Sequence, residues 1–334
     1  RFMNSPVSLA STPADAARKP YRLASTAGYY LAFIALGLAA AALGPTLPGL
    51  ARHTGAGLAE ISSLFMARSL GYLLGSGPGG RLYDRLPGHL LMAGMLGVMM
   101  ITLGLTPLIS VLWLLIAVMF FLGLGEGNVD VGGNTMLVWQ HREGVSPFMN
   151  GLHFFFGLGA FISPIILSQA MAIRGDIHWG YWILALLILP ALFWVGRLPN
   201  PGIPSRSADP APVRKDTWMV VLVAIFFFFY VGAEISFGGW IYSYATALNL
   251  GTPTMAAFLT SAFWGSLTAG RLLSVPLATR LKPVPTLVLD LAGCLASVGL
   301  VLLFPASPLV IWIGTIVAGL SMASVFPTTL TLAG

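Results

Sequence analysis

The sequence predicts an all-α protein that crosses a membrane many times, and three observations support this fold class. Of its 334 residues, 57% are hydrophobic and only 8% are charged, with a mean hydropathy of +0.85. A soluble domain has about 25% charged residues. Apolar segments of the ~20 residues that a helix needs to cross a bilayer follow one another along the chain. Similar glycine-arginine segments also occur in both parts of the chain, which indicates two related halves.

Ten apolar segments are long enough to span a bilayer as helices. They lie at about 25–51, 58–79, 89–107, 111–139, 147–172, 178–196, 217–246, 254–275, 284–304 and 308–334. Six precede a stretch rich in proline, serine and charge, and four follow it. We therefore expect a cytoplasmic tail at 1–24, a six-helix half at 25–197, a cytoplasmic linker at 198–216 and a second half at 217–334.

The basic residues predict the orientation of these spans. With the N-terminus in the cytoplasm, 14 of the 17 basic residues fall on the cytoplasmic side. Only Arg52 and Arg174 fall outside, and Arg68 lies inside the second span. The cytoplasmic set comprises Arg1, Arg18, Lys19, Arg22, Arg81, Arg85, Arg142, Arg197, Arg206, Arg214, Lys215, Arg271, Arg280 and Lys282. This asymmetry indicates a cytoplasmic N-terminus in a plasma or bacterial inner membrane. Because the charge is spread over several loops, it excludes a nucleic-acid-binding patch.

An internal repeat relates the two halves. The segment GRLYDRL at Gly80–Leu86 recurs as GRLLSVPL at Gly270–Leu277, 190 residues later. Gly44 in the first span likewise precedes Gly239 in the seventh by 195 residues. Two parallel repeats of six helices are one architecture of transporters, with the substrate site near the midplane. By this symmetry we expect the last two helices of the second half to be missing, as in a C-terminally truncated sequence.

The loop after the second span carries a family resemblance. GRLYDRLPGH at Gly80–His89 resembles the signature G-x-L-x-D-R-x-G-R-K of the major facilitator superfamily, with Pro87 inserted and His89 at a basic position. Within that superfamily the chain resembles the fucose permease-type carriers and the sodium-dependent glucose transporter-like proteins. The stretches that carry this second resemblance are Gly127–Asn134, Met149–Ala160 and Tyr230–Trp240. The resemblance implies the major facilitator fold and the transport of a small polar solute such as a sugar.

The fourth span contains a row of polar residues. Glu126, Asp130 and Asn134 are four residues apart and share one face of a helix. A carboxylate at bilayer depth costs roughly 2.5–3.5 kcal/mol, so it faces a protein interior or a water-filled cavity. Two acids one turn apart repel when both are ionised, which suits groups that exchange protons. The alternatives are a water-exposed Glu126 near the external mouth and an Asp130 that only forms structural hydrogen bonds.

The resemblance favours Asp130 over Glu126. Fucose permease-type carriers have an acid in span four followed four residues later by asparagine, and Asp130 and Asn134 match these positions. The resemblance therefore implies a role for Asp130 in proton coupling or sugar binding.

Arg68 is the basic residue that lies inside a span, and we expect it to need an acidic partner or water. Glu126 and Asp130 are the candidates, for a functional pair or for a fixed pair that holds helices together. His153 in the fifth span is a candidate proton relay or substrate donor, with packing as the alternative.

Glu234 and Trp240 lie in the seventh span, in the opposite half. Together with Asn134 they would supply the hydrogen-bonding groups and the aromatic face that bind a sugar ring. Packing is the alternative for Trp240.

The loop motif predicts a different role for its residues. Gly80, Arg81, Asp84, Arg85 and Gly88 match or adjoin the superfamily signature. In that family such residues lock the inward-closed gate. We therefore expect them to control conformation, and Asp84 also to interact with the N-terminus of a neighbouring helix.

The function that these features predict is secondary active transport of a small polar solute, in the first place a sugar, as a symporter with a proton or sodium. The alternatives are a proton-coupled exporter of drugs or metabolites and a non-transporting membrane sensor. The sequence contains no Walker A loop, no H-E-x-x-H motif and one cysteine, Cys294. We therefore expect no enzyme activity, no cofactor and no metal centre. We also expect the protein to act as a monomer in the lipid bilayer.

Overall fold

The computed structural model describes residues 13–200, 217–278 and 282–333, so most of the predicted linker and the start of the predicted tail lie outside the described residues. The described residues form 13 α-helices and two single 3₁₀ turns, at Thr106–Leu108 and Arg142–Gly144. The α-helices are α1 (Pro13–Ala40), α2 (Leu43–Thr54), α3 (Leu58–Ile61), α4 (Ser63–Tyr83), α5 (Gly88–Leu105), α6 (Leu112–His141), α7 (Ser146–Arg174), α8 (His178–Arg197), α9 (Thr217–Ala247), α10 (Pro253–Ala278), α11 (Pro283–Leu303), α12 (Pro308–Met322) and α13 (Val325–Ala333).

Each of the ten predicted spans corresponds to helical structure, but three of the spans are interrupted. The first divides into α1 and α2, the second into α3 and α4 at Ser62, and the last into α12 and α13. The breaks in the first and last spans each begin four residues before a proline, Pro45 and Pro327 respectively. A proline cannot donate to the carbonyl four residues earlier and its ring crowds that carbonyl, so the helix opens there.

Eight helices in the described part of the chain are long and apolar enough to cross a membrane. The other two predicted spans are α4, with 21 residues, and α10, with 26 residues. Both are rich in small residues and each contains a buried or half-buried arginine. At 1.5 Å per residue, 21 residues reach about 30 Å, the thickness of the hydrocarbon core.

Glycine brings α4 and α6 into close contact. Gly71 and Gly75 lie four residues apart on α4, and Gly123 and Gly127 lie four residues apart on α6. A Cβ atom on any of the four would overlap a backbone carbonyl oxygen of the facing helix. Helices in membranes commonly pack backbone to backbone through such small residues. This contact fixes which side chains of α4 meet which side chains of α6.

The second half repeats this packing. There α10 packs on α12 as α4 packs on α6. A Cβ atom on Gly319 would lie 2.5 Å from the carbonyl oxygen of Phe263, and one on Gly270 would lie 3.1 Å from that of Leu320. The two halves, α1–α8 and α9–α13, therefore use the same type of close helix contact.

The halves meet where α2 packs on α9 and where α7 packs on α10. Gly44 and Gly239, which the repeat predicts as equivalent positions, face each other there. A Cβ atom on Gly44 would lie 2.7 Å from the carbonyl oxygen of Gly239. Nearby, Phe65 of α4 packs against Trp240 of α9 with 5.5 Å between the ring centroids. Because these contacts bring the helices together, the halves are closed at this end of the interface.

Arg271 lies in the predicted span at 254–275, although the topology prediction counts it among the cytoplasmic charges. It is part of α10. Its Nη2 atom is 3.7 Å from Oε1 of Glu234 on α9, and this ion pair offsets the cost of placing an arginine between packed helices. The cytoplasmic placement of Arg271 stays a prediction.

Candidate substrate and coupling site

A bidentate ion pair joins α4 to α6. Nε of Arg68 donates to Oε2 of Glu126 at 2.7 Å, and Nη2 donates to Oε1 at 2.8 Å. Nη1 of Arg68 donates to the carbonyl oxygen of Ala40 at 3.1 Å. Ala40 is the last residue of α1, where carbonyl groups lack helical donors, so the arginine also caps that helix end. Both carboxylate oxygens are therefore occupied by charge-assisted hydrogen bonds.

This geometry decides between the interpretations of Glu126. Its exposed fraction is 1%, and that of Arg68 is 9%. The interpretation of Glu126 as a water-exposed residue near the external mouth was wrong, because the glycine contacts place it between α4 and α6. The partner of Arg68 is Glu126 rather than Asp130.

Asp130 has a different environment one turn further along α6. It is half-buried and accepts a hydrogen bond from the hydroxyl of Tyr72 on α4. Nδ2 of Asn134 donates to Oδ1 of Asp130 at 3.0 Å and to the Asp130 carbonyl oxygen at 2.9 Å. In the part of the chain that the structure describes, no basic group lies within 4.0 Å of this carboxylate. The charge of Asp130 is therefore hydrogen-bonded but not neutralised.

Tyr72 is a residue of this site that the sequence reasoning missed. The signal for it is spacing: Arg68 and Tyr72 are four residues apart on α4, as are Glu126 and Asp130 on α6. Two facing helices with glycines at the same interval align such pairs as successive cross-links.

A third cross-link lies at the predicted cytoplasmic end of α4. The hydroxyl of Tyr83 donates to Oδ1 of Asn128 at 3.0 Å, and both residues are buried. A Cβ atom on Gly132 would overlap the Tyr83 hydroxyl. This contact holds the end of α4 on α6 and positions the loop that follows.

The predicted gate residues lie in and beside this loop. The side chains of Arg81, Asp84 and Arg85 are exposed and make no hydrogen bond or ion pair with the described residues. Gly88 is buried, and a Cβ atom there would lie 2.8 Å from the sulfur of Met136. For Gly80 a Cβ atom would meet nothing within 4 Å. A gating role for these residues therefore stays a prediction, as does an interaction of Asp84 with another helix.

His89 stands at a basic position of the family signature, and its contacts give it a structural role there. It is buried, its Nε2 atom is 2.8 Å from the hydroxyl of Tyr29 and its Nδ1 atom is 2.9 Å from the carbonyl oxygen of Pro199. Its backbone N–H donates to Oδ1 of Asn200 at 3.1 Å. The residue that takes the place of a basic group thus joins the start of α5 to α1 and to the segment after α8.

The remaining predicted site residues lie in separate places. Glu234 pairs with Arg271 within the second half, whereas Trp240 packs across the interface on Phe65. His153 lies between the halves, edge-on to Phe33 of α1 at 6.0 Å and 6.5 Å from the ring of Phe326 on α13. The structure therefore brings Arg68, Glu126, Asp130 and Asn134 together but spreads Glu234, Trp240 and His153 around the interface.

A small cavity lies between Arg68 and the second half. Its lining includes Phe65 and Arg68 of α4, Gly44 of α2, and Gly238 and Gly239 of α9. Its free volume is about 10 Å³. This is the space of about one water molecule, and small-molecule pockets measure roughly 300–1,000 Å³. A sugar therefore does not fit beside Arg68 while the halves are closed here.

The fold agrees with comparison to known proteins. Residues 29–334 match the profile of the Major Facilitator Superfamily. The chain belongs to the major facilitator superfamily. The human and mouse relatives described next are named as transporters. The predicted fold class and the predicted family are thereby confirmed.

Several members of the superfamily are similar over most of this chain. Human (Homo sapiens) sodium-dependent glucose transporter 1 is 31% identical over 334 residues, which cover 89% of this chain and 64% of that protein. Mouse (Mus musculus) sodium-dependent glucose transporter 1A is 32% identical, covering 90% of this chain and 79% of that protein. This chain therefore spans slightly less than two thirds of the human relative.

A solved structure shows the same superfamily fold. The nucleoside transporter NupG aligns with a TM-score of 0.73 and 14% identity, over 93% of this chain and 82% of that protein. At this identity the likeness supports the fold alone.

Proposed function

We propose that this member of the major facilitator superfamily is a secondary active transporter that moves a small polar solute, in the first place a sugar, by alternating access. The names of the human and mouse relatives support a sugar as solute and sodium as one candidate coupling ion. A proton is the other candidate. We further propose that it works as a monomer with a cytoplasmic N-terminus in a plasma or bacterial inner membrane.

The observation that carries the proposal is the contrast between two acids on one helix. Glu126 is neutralised by Arg68, and Asp130, one turn away and half-buried, has no basic partner among the described residues. A lone charge in a span costs free energy, and binding of a proton or a cation would remove this cost. Asp130 is therefore the group proposed to bind the coupling ion. The Arg68–Glu126 pair is proposed to hold together α4 and α6, the two helices that carry this site.

The contacts between the halves suggest how access alternates. Gly44 against Gly239 and Phe65 against Trp240 close the end that the topology prediction places outside. Rocking of the halves would separate these contacts and expose Trp240, whose ring would then be free to stack on a solute. Asn134 and His153 are proposed to contact the solute from the first half, and Glu234 from the second.

Uptake by the full-length protein in proteoliposomes tests this function. Labelled monosaccharides are offered under an imposed sodium gradient, an imposed proton gradient or neither. Accumulation above the equilibrium level under one gradient supports the proposal and identifies the ion. Extrusion of a dye or metabolite against a proton gradient, without sugar uptake, would replace it with the exporter. A protein that moves none of the solutes and is stabilised by none of them would favour the sensor.

A further inference from the structure

The small cavity between the halves has an unsatisfied hydrogen-bond donor beside it. Trp264, on α10, has an exposed fraction of 2% and lines this cavity together with Arg68. Its Nε1–H has no acceptor in the part of the chain that the structure describes. A buried indole N–H normally finds a partner, because a buried donor without one loses the hydrogen bond that it makes with water in the unfolded chain. The orphaned N–H therefore calls for an acceptor that the protein itself does not supply.

The packing of Trp264 places the edge of the ring that carries Nε1 next to the cavity. A Cβ atom on Gly238, which also lines the cavity, would lie 3.1 Å from Cζ2 of Trp264. Cζ2 and Nε1 are bonded to the same ring atom and lie on one edge of the indole. The rings of Phe156 and Phe263 pack against the indole with centroid distances of 5.9 and 5.2 Å and offer no hydrogen-bond acceptor. The cavity is therefore the place where a partner for Nε1–H fits.

Arg68 brings further donors to the cavity from the first half. A guanidinium group has five N–H groups. Three of those of Arg68 donate to the two carboxylate oxygens of Glu126 and to the carbonyl oxygen of Ala40. One N–H on Nη1 and one on Nη2 remain without an acceptor among the described residues. The cavity thus lies between donors of both halves, and a single oxygen atom with two lone pairs could accept from both.

The charges around the cavity favour a neutral ligand. The charge of Arg68 is neutralised by Glu126, so the cavity presents donors without a net positive charge. An ammonium group would meet only donors there, and a carboxylate or phosphate would lose its hydration without a free positive charge to pair with. A hydroxyl or ring oxygen accepts hydrogen bonds without this cost. The free volume of about 10 Å³ fits one water molecule, so the oxygen of a larger solute can enter only when the halves move apart.

We propose that Trp264 and Arg68 form a subsite that binds one hydroxyl oxygen of a neutral sugar or polyol between the two halves, with Trp264 as a residue that determines specificity. The solute oxygen takes the place of the single water that fits the closed cavity once Phe65 and Trp240 separate. The inference rests on the proposed function, because it needs a solute between the halves. It adds to that function a solute contact from α10 and a preference for neutral solutes over cationic ones.

Binding of deoxy sugars to the full-length protein in detergent tests the subsite. The probes are glucose, galactose and mannose, followed by the monodeoxy analogues of the sugar that binds most tightly. The readout is the concentration of each sugar that gives half of its largest Tm shift. For the wild type, loss of one particular hydroxyl is expected to raise this concentration roughly 5- to 100-fold, because the donors of Trp264 and Arg68 are left unpaired. Trp264→Phe removes Nε1–H and is expected to reduce the penalty for that same analogue at least threefold.

Trp182→Phe is the matched control. Nε1 of Trp182 donates to the carbonyl oxygen of Gly104 at 3.2 Å, within the first half and away from the cavity. This variant also loses an indole N–H, and it is expected to lower the Tm of the sugar-free protein but to leave the penalty for each deoxy analogue unchanged. The ratio of affinities for the parent sugar and its deoxy analogue therefore separates a solute contact from a packing role of Trp264.

The outcomes separate this proposal from the proposed function. A penalty that is the same in Trp264→Phe and the wild type overturns the subsite and leaves gradient-driven uptake as it is. A wild type that none of the sugars stabilises overturns the subsite as well. Sugars that bind with the expected dependence on Trp264 but do not accumulate under any gradient support the subsite and contradict coupled transport. If Trp264→Phe fails to fold, 3-benzothienylalanine at position 264, in which sulfur replaces the N–H and the ring keeps its shape, decides by the same ratio.

Discussion

At the scale of single residues, the site distinguishes an acid that is neutralised from one that is not. Both oxygens of Glu126 are held by Arg68, whereas Asp130 is held only by neutral donors among the described residues. Spacing alone could predict that both acids share a helix face, but it could not assign the arginine to one of them. That assignment depends on the register of α4 against α6, which the glycine contacts determine.

Neutralising Glu126 is expected to destabilise the protein. Glu126→Gln leaves the guanidinium of Arg68 buried without a counter-charge, and breaking a buried pair in this way costs about 3–5 kcal/mol. The double variant Arg68→Leu/Glu126→Leu removes both charges and is expected to recover much of this loss. Thermal unfolding in detergent measures the effect. A Tm for Glu126→Gln equal to that of the wild type would show that the pair does not hold these helices together.

Removing the hydroxyl of Tyr72 is expected to change ion binding more than stability. Tyr72→Phe deletes a hydrogen bond to an ionised group, worth about 1.5–3 kcal/mol, which corresponds to a change of roughly 10- to 150-fold in coupling-ion affinity. The direction depends on whether the bound ion replaces this hydrogen bond or adds to it. The measurement is the ion concentration that gives half-maximal solute uptake. Tyr83→Phe is the control, because Tyr83 bonds to Asn128 in the same helix pair but not to Asp130. Equal effects of the two variants would contradict a specific role for Tyr72.

At the scale of elements, the helices are predicted well and their interruptions are not. Apolar length locates each span, because about 20 residues are needed to cross the bilayer. The breaks after Ala40 and Met322 depend on Pro45 and Pro327, and membrane helices often tolerate proline without breaking. The ion pair of Arg271 with Glu234 could not be predicted, because the two residues are distant in sequence.

The glycine contact between α4 and α6 predicts a sharp contrast between substitutions. Gly123→Ala places a Cβ atom against the carbonyl oxygen of Arg68, so the helices must separate and the Arg68–Glu126 bonds must lengthen. We expect a loss of about 1–3 kcal/mol, as for other overpacked sites. Gly77→Ala is the matched control on α4, because its Cβ atom would meet nothing within 4 Å. Thermal unfolding of both variants checks this. Equal stabilities would contradict the contact.

At the scale of the whole molecule, burial differs between the halves. Only 11% of the most apolar window is buried in each of α9 and α11, against 61% in Tyr21–Ala40 and 39% in the α5 span. In the first half, α7 and α8 cover α1, and α8 covers α5. In the described part of the second half, no helices cover α9 and α11 in the same way. The repeat is visible in sequence because its glycines keep their spacing.

The closed end of the interface predicts that joining the halves there stops transport. In a Cys294→Ser background, Phe65→Cys and Trp240→Cys are expected to be bridged by a short bifunctional methanethiosulfonate, which forms a disulfide with each cysteine, since the native rings lie 5.5 Å apart. Bridging is expected to abolish uptake, and a reducing agent is expected to restore it. The two single-cysteine variants are the controls. Undiminished uptake by the bridged protein would show that these contacts need not separate.

The central claim is that Asp130 binds and releases the coupling ion, whereas Glu126, which is paired with Arg68, does not. The most direct measurement compares gradient-driven accumulation with solute exchange at equal concentrations in proteoliposomes containing Asp130→Asn. Asp130→Asn removes the uncompensated charge but leaves the Arg68–Glu126 ion pair between α4 and α6 intact. We therefore predict that gradient-driven accumulation of the solute falls at least tenfold and that solute exchange persists. Asp176→Asn, at an exposed loop acid, is the control and is predicted to behave as the wild type. Accumulation by Asp130→Asn at the wild-type level would contradict the account.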